Sequence, residues 1–236
     1  MKIFSIPRTI DLICFDIDST LYTHVEYAAH QYDVLYAALS RHLGQDVEEL
    51  RQEIEAWRKQ QAGGSEGNKP SLGTAFTRFG ADISLSIRWR SEFIRPEDFL
   101  NEDIRLRKTL EILASPEHRS PPADAPRGRG TGNGVEFAAV TNNPTDIARR
   151  TLRRLGVDKY FSRIVGLDTA GESKPRSRHY DIALKSTDPA NSLAVGDRYH
   201  VDIQPALERN MGAVLVDGVE DVYHLPEAIE EAWRRG

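Results

Sequence analysis

Residues 13–21 decide the fold, and they read Ile13-Cys14-Phe15-Asp16-Ile17-Asp18-Ser19-Thr20-Leu21. The apolar run that begins at Leu12 and ends at Phe15 predicts a buried β-strand. Asp16 and Asp18 are two residues apart, so in an extended segment both carboxylates project from the same face. Carboxylates placed this close repel each other unless a cation or a shared proton offsets their charge. Taken alone, the stretch also fits an ordinary polar turn after a strand.

The size and composition of the chain exclude several classes of protein. Its 236 residues can bury a full core, as one large domain or as a domain with an insert. The net charge of -5 argues against a general nucleic-acid binder, which is usually basic. The single cysteine, Cys14, excludes a disulfide scaffold and a cysteine-based zinc site. With no signal-peptide pattern and no apolar run of about 20 residues, we expect a cytoplasmic protein without a membrane partner.

Other short apolar segments end in polar residues in the same way. They span residues 135–140, 161–165, 192–195 and 213–216, and the second is the weakest. The intervening stretches predict helices at residues 145–155, 177–185 and 201–210. Short apolar strands that alternate with helices are typical of an α/β fold, in which helices cover both faces of a parallel sheet. Ligands then bind beyond the carboxyl ends of the strands.

Residues 23–100 follow a different pattern. Apolar residues recur there at helical spacing, which predicts helices at 25–43, 47–57, 72–79 and 83–94. Because this region carries no strand pattern, we interpret it as a helical subdomain inserted between the first two core strands. The core then comprises residues 1–22 and 101–236. Two turn-rich stretches, 63–68 and 115–134, predict loops, the second carrying arginines that suit a solvated linker better than an anionic partner.

Polar residues collect at the strand ends. Thr141 and Asn142 follow the second core strand at a turn into a helix, where a hydroxyl and backbone N–H groups can hold a phosphate oxygen. Lys174 lies on a proline-containing turn, and Asp197 and Asp202 follow the fourth core strand. Each has a plain alternative, as a helix cap, an exposed lysine or a turn former. Because a parallel sheet brings its strand ends to one edge, we expect these side chains to meet there.

The chemistry of this set favours a magnesium ion beside a phosphoryl group. Several carboxylate oxygens suit Mg²⁺, a hard cation that keeps some of its water ligands. A lysine and a hydroxyl next to them suit a phosphoryl group. The seven histidines are scattered along the chain and form no pattern that favours zinc.

The order of the motifs resembles the haloacid dehalogenase superfamily, in its phosphatase branch. The chain reads Asp-x-Asp-x-Thr at residues 16–20, then Thr141, then Lys174-Pro175, then Gly-Asp-x-x-x-x-Asp at residues 196–202. The resemblance implies a Rossmann-like sheet with the strand order 5-4-1-2-3. It also implies that the helical insert of residues 23–100 is a cap, placed directly after the first motif.

The resemblance implies roles for the residues that touch the phosphoryl group. Asp16 would be the nucleophile that forms an aspartyl phosphate. Asp18 would protonate the leaving oxygen and then activate a water molecule. Thr141, Asn142 and Lys174 would hold the phosphoryl group.

A metal site is implied in the same way. Mg²⁺ would be bound by Asp16, by Asp197 and by the backbone carbonyl of Asp18. Asp202 and Thr20 would lie next to these ligands without binding the ion directly. Asp202 would act either as a neighbouring acid or as a ligand through a water molecule. Tyr22 and His24, beside the first motif, are the best candidates for a contact between the substrate and the cap, but the alternative, hinge packing with a solvated histidine, is favoured for them.

The expected function is hydrolysis of a small phosphorylated metabolite, a nucleotide or a sugar phosphate. Dehalogenating members lack the second aspartate of the first motif, so Asp18 argues for phosphate chemistry. The first motif is similar to pyrimidine 5'-nucleotidases, and Thr141-Asn142-Asn143 is more like nucleotidases and general sugar-phosphate phosphatases. Two alternatives stay open: a phosphomutase on the same core, and a phospho-accepting regulatory domain without turnover. We expect no nucleic-acid partner.

Overall fold

The computed structural model describes residues 1–64, 69–120, 134–176 and 178–235. These residues form a six-stranded, mostly parallel sheet with helices packed against it, the Rossmann-like α/β fold that the sequence predicts. Most of both predicted loops, with Arg127 and Arg129, lies outside the described residues. Arg119, at the start of the second loop, forms an ion pair of 2.7 Å with Asp11.

The sheet has the predicted order of core strands and one further strand at its edge. The strands are Lys2–Ser5 (β1), Leu12–Phe15 (β2), Glu136–Val140 (β3), Phe161–Val165 (β4), Ser192–Gly196 (β5) and Gly212–Leu215 (β6). Their spatial order is β1-β6-β5-β2-β3-β4, which confirms the order expected for the core. The sequence pattern missed β1, which pairs antiparallel with β6. As a largely exposed edge strand, it needs no continuous apolar run.

Strand β2 lies in the middle of the sheet and is buried on both faces. Its side chains alternate between two apolar clusters, as the period of a strand requires. On one face, the rings of Phe15, Phe137 and Phe161 pack with centroid distances of 5.5 to 6.1 Å. On the other face, Leu12 and Cys14 pack in a smaller cluster. The strand that delivers Asp16 is therefore rigidly held.

Four helices occupy the region predicted as a helical insert. They are Val25–Leu43 (α1), Val47–Gln61 (α2), Leu72–Arg78 (α3) and Ile83–Phe93 (α4). Each begins at a side chain that accepts a hydrogen bond from the first turn, namely His24, Asp46, Ser71 and Asp82. Apolar residues of these helices join the larger cluster beneath the sheet, so the insert and the sheet share one continuous core.

The remaining helices surround the sheet. They are Ile104–Leu113 (α5), Thr145–Arg154 (α6), Leu167–Ala170 (α7), Arg178–Leu184 (α8), Gln204–Leu207 (α9), Val219–Tyr223 (α10) and Leu225–Arg235 (α11). The prediction of one regular helix over residues 201–210 is wrong. The structure has a π-helical turn at Tyr199–Ile203, which is followed by the short α9. Pro205 lies in the first turn of α9, the place where proline costs no hydrogen bond. Among the helices of the described residues, none is both long and apolar enough to cross a bilayer.

The aromatic cluster under β2 should dominate the stability of the core. Phe137 is 1% exposed, and the Phe137→Ala variant is expected to lose about 3–5 kcal/mol in the free energy of unfolding. Ile3 of β1 is 41% exposed, so the Ile3→Ala variant should lose less than about 1 kcal/mol. Urea unfolding monitored by circular dichroism measures both values. Equal losses in the two variants would contradict this description of the core.

Candidate active site

Lys174 is buried at the carboxyl ends of the central strands. It is 1% exposed, although a lysine on a turn is ordinarily solvated. Its ammonium Nζ donates hydrogen bonds to Oδ1 of Asp16 at 2.5 Å, to Oδ1 of Asp202 at 2.7 Å and to the carbonyl of Val140 at 2.8 Å. Burial alone would lower the pKa of Lys174, but the two carboxylates together outweigh it and raise that pKa. The lysine is therefore a fixed cation.

Three carboxylates surround this cation. Oxygens of Asp16, Asp197 and Asp202 lie within 4.8 Å of one another. Burial raises the pKa of Asp16 and of Asp197 above the usual range, and the neighbouring acids raise them further. Lys174 and Arg198, which lies 3.9 Å from Asp197, supply two positive charges against three carboxylates, and a divalent cation would supply the missing charge. A cluster of carboxylate oxygens is also the donor set that Mg²⁺ prefers, so these residues fit the ion.

Asp202 differs from the other two acids because its oxygens are already occupied. Oδ1 accepts from Lys174, and Oδ2 accepts from the backbone N–H of Arg198 at 3.1 Å. The side chain is fully buried, and it approaches β5 so closely that a Cβ at Gly196 would lie 2.5 Å from the Cβ of Asp202. The glycine of the fourth motif therefore leaves room for this acid. Asp16 and Asp197 are better placed to face a metal ion.

Asp18 lies away from the lysine and faces the helical insert. Its Oδ2 accepts a hydrogen bond of 3.0 Å from the side-chain amide of Asn143. Its Oδ1 accepts from Gln31 of α1 at 3.0 Å and from the hydroxyl of Tyr22. Strand β2 ends at Phe15, so the chain turns between the two aspartates, and each acquires its own set of partners. Asp16 and Asp18 nevertheless line the same cavity.

The turn after β3 connects these two groups. The hydroxyl of Thr141 accepts from the backbone N–H of Asn143 at 3.0 Å and lies 3.5 Å from Asp18. Asn142 lines the cavity, and its side-chain oxygen accepts from the backbone N–H of Lys174 at 2.7 Å. Asn142 thereby positions the lysine turn. Thr20, by contrast, is fully buried, and the described residues offer its hydroxyl no hydrogen-bond partner.

The insert closes the site into a cavity of about 180 Å³. From the insert, Gln31, Tyr32, Gly73 and Arg90 line this cavity together with the aspartates of the core. The contact between insert and core is tight at one point, because a Cβ at Gly73 would lie 2.5 Å from Oγ of Ser173, next to Lys174.

The sequence analysis offered Tyr22 and His24 as candidates for substrate contact and favoured hinge packing as the alternative, and the structure separates the two residues. Tyr22 lines the cavity and binds Asp18. His24 does not line this cavity. Its Nδ1 accepts from the backbone N–H of Tyr27, and its ring packs against Phe99, so it serves the alternative role of hinge packing.

Other cavity residues were missed by the sequence analysis. Asn143 adjoins a predicted residue, and its position after Thr141-Asn142 was the only signal for it. Gln31 and Arg90 lie on amphipathic helices, where a polar residue gives no sign of which neighbour it faces. Only tertiary packing brings them to the site.

The chain matches the family model for haloacid dehalogenase-like hydrolases over residues 10–208. The protein therefore belongs to the haloacid dehalogenase-like hydrolase family, as the motifs predicted. The family model covers both the strand ends that carry the acids and the helical insert.

Two curated relatives match part of the chain. Glyceraldehyde 3-phosphate phosphatase from Methanothermobacter thermautotrophicus is 31% identical over 86 residues, which cover 36% of this chain and 38% of that protein. Ribulose-1,5-bisphosphate 5-phosphatase from Halopiger xanaduensis is 33% identical over 90 residues, which cover 37% of this chain and 38% of that protein. The match thus spans less than half the length of either relative.

The fold is also similar to solved structures. The crystal structure of a 2-haloacid dehalogenase from Pseudomonas syringae pv. tomato superposes with a TM-score of 0.54 at 19% identity, covering 95% of this chain and 99% of that one. A likeness at this level of identity concerns the fold alone. The choice between dehalogenation and phosphate chemistry therefore depends on the residues of the site.

The acid cluster should bind a divalent cation in the folded state. Saturating Mg²⁺ is expected to raise Tm by roughly 5–10 °C, because an ion that binds only the folded state stabilises it, and EDTA should reverse the shift. The Asp197→Asn variant should lose most of this shift. Asp98→Asn, at an exposed position, is the matched control and should keep it. An unchanged shift in Asp197→Asn, measured by differential scanning fluorimetry, would contradict the assignment of Asp197 as a ligand.

Proposed function

We propose that the protein is a Mg²⁺-dependent phosphomonoesterase that hydrolyses a small sugar phosphate or related metabolite through an aspartyl phosphate on Asp16. The observation that carries this proposal is the pair of carboxylates with separate environments in one cavity. Asp16 is held by Lys174, and Asp18 is held by Asn143, Gln31 and Tyr22. These separate environments support a division of roles in which Asp16 attacks phosphorus and Asp18 transfers protons.

Lys174 prepares Asp16 for attack. Its hydrogen bond occupies Oδ1 of Asp16, which leaves Oδ2 as the oxygen that attacks phosphorus. The bond between phosphorus and the ester oxygen then breaks, and Asp18 gives its proton to that oxygen. The three N–H donors of Lys174 are occupied by Asp16, Asp202 and Val140, so its contribution to holding the phosphoryl group is its positive charge. The hydroxyl of Thr141 binds a phosphoryl oxygen, and Asn142 keeps the lysine turn in place. Mg²⁺, held by Asp16 and Asp197, would offset the negative charge of the phosphoryl group.

The second half of the reaction regenerates the enzyme. Asp18, now ionised, takes a proton from a water molecule, whose oxygen attacks the phosphorus of the aspartyl phosphate. Inorganic phosphate leaves, and Asp16 regains its carboxylate. The hydrogen bonds from Gln31 and Asn143 keep the carboxylate of Asp18 directed into the cavity during both steps. An aspartate without such hydrogen bonds could rotate away from the reacting atoms.

The size of the cavity favours a small substrate over a nucleotide. Its volume of about 180 Å³ lies below the roughly 300–1,000 Å³ of pockets that enclose drug-sized ligands. The names of both curated relatives state phosphatases of small sugar phosphates, which supports the same class. A nucleotide, the other class that the motifs suggest, would need a larger space.

We further propose that residues 23–100 act as a cap over the residues 1–22 and 101–236. The insert leaves the core directly after Asp18 and supplies Gln31 to that aspartate. Closing it over the aspartyl phosphate would exclude bulk water and strengthen the electrostatic interactions inside.

Replacing the nucleophile should abolish turnover. The Asp16→Asn variant is expected to lose at least about 10³-fold in kcat, because an amide cannot attack phosphorus. Release of free phosphate from an aryl phosphate measures this loss, and Asp98→Asn is the control. Activity above a tenth of the wild-type value in Asp16→Asn, with an intact circular dichroism spectrum, would contradict the covalent mechanism. In a parallel assay with a sugar phosphate, isomerised sugar phosphate in place of free phosphate would indicate a phosphomutase. Phosphorylated protein without turnover would indicate a regulatory domain.

The close approach of Gly73 to Ser173 tests the role of the cap. In Gly73→Ala the new methyl group meets Oγ of Ser173, so the cap should seat poorly and kcat/KM should fall several-fold. Adding Ser173→Ala removes that oxygen, and the nearest remaining atom then lies 3.7 Å away at ordinary contact distance. The double variant should recover the wild-type kcat/KM. A loss that the second substitution does not restore would show that the contact is irrelevant to closure.

A further inference from the structure

Arg90 of α4 is a buried cation without an anionic partner. Its side chain is 5% exposed and lines the cavity. Its recorded hydrogen bonds run from Nη1 to the carbonyl of Ser86, at 3.3 Å, and to the hydroxyl of Ser86, both within its own helix. Among the described residues, no carboxylate forms an ion pair with it. Burial lowers the pKa of Arg90 to about 10, which expresses the cost of an unpaired charge.

Other buried cations of this protein are paired. Lys174 contacts two carboxylates, and Arg58 lies 2.5 Å from Glu55. Even Arg198, on the wall of the same cavity, lies 3.9 Å from Asp197. A buried guanidinium without such a partner is costly, and a bound anion would remove that cost. Arginine also presents a planar set of donors that fits carboxylate or phosphate oxygens.

The position of Arg90 assigns the anion to one side of the substrate. The transferred phosphoryl group must contact Asp16, which lies at a strand end. Arg90 comes from the insert and lines the same cavity, and the acid whose charge acts on it is Asp18. Asp18 serves the leaving oxygen in the proposed mechanism. The leaving group, and not the phosphoryl group, therefore faces Arg90.

We infer that Arg90 binds a second anionic group on the leaving group, so that the preferred substrate is a short phosphomonoester with a carboxylate or a second phosphate at its far end. This inference rests on the proposed phosphatase function and narrows its substrate class. The small cavity limits the distance between the two anions to a few bonds. The neutral end of an ordinary sugar phosphate would leave Arg90 unpaired.

The test compares three phosphomonoesters of similar length. They are 2-phosphoglycolate with a carboxylate, 1,3-propanediol bisphosphate with a second phosphate, and propyl phosphate with a neutral end. Wild-type kcat/KM should be roughly 10- to 100-fold higher for at least one anionic substrate than for propyl phosphate, as a charged hydrogen bond predicts. The better of the two identifies the anion. Equal values for all three would overturn the inference.

Variants at Arg90 separate substrate binding from a structural role. Arg90→Met should lose this preference, mainly through a higher KM for the anionic substrate, so that the ratio of kcat/KM between the anionic substrate and propyl phosphate falls towards one. Arg90→Lys should keep part of the preference, which provides a second variant if the methionine protein folds poorly. Arg88→Met, an exposed arginine on the same helix, is the matched control and should behave as the wild type. Equal losses for neutral and anionic substrates would mean that Arg90 only positions α4.

The two levels of the proposal fail differently. If the wild-type protein releases no phosphate from any of the three esters and none from an aryl phosphate, the proposed phosphatase function itself is wrong. If its kcat/KM for propyl phosphate equals that for the anionic esters, the phosphatase function stands and the proposed role of Arg90 is wrong.

Discussion

The ammonium of Lys174 joins three strands of the sheet at the point where the chemistry occurs. It binds Asp16 after β2, Asp202 after β5 and the carbonyl of Val140 at the end of β3. Neither the lysine nor Asp202 has access to water, so removing one partner would leave the other buried and uncompensated. This interaction fixes the orientation of Asp16, the proposed nucleophile, and the other acids of the cluster and the turn after β3 lie around it.

The helical insert completes what the sheet begins. The strand ends supply acids and a cation that recognise a phosphoryl group, but Asp18 acquires one of its partners, Gln31, only from α1. The insert also contributes to the lining of the cavity, with Arg90 as its buried charge. In the proposed mechanism the chemistry belongs to the strand ends and the substrate choice to the insert, a division that would let one fold carry different reactions.

The sequence predicted the core of the fold because buried parallel strands read as short apolar runs with polar ends. That pattern identified β2 to β6 and the acids that follow them. It failed for β1, an exposed edge strand, and for Tyr199–Ile203, where a π-helical turn replaces regular helix. The pattern also did not predict the hydrogen-bond partners of Asp18 or the unpaired Arg90, because both depend on how the helices pack and not on a local sequence pattern. Contacts between distant segments carry no signature in a single sequence.

The stereochemical course of the reaction at phosphorus tests the central claim, that the phosphoryl group passes first to Asp16. An aryl phosphorothioate made chiral at phosphorus by sulfur and two oxygen isotopes can be hydrolysed in water that carries the third oxygen isotope. The configuration of the released inorganic thiophosphate is then determined by phosphorus NMR. Two successive in-line displacements through an aspartyl phosphate invert phosphorus twice, so the account predicts retention of configuration. Inversion would mean that water attacks the substrate directly, and it would contradict the role of Asp16 as nucleophile.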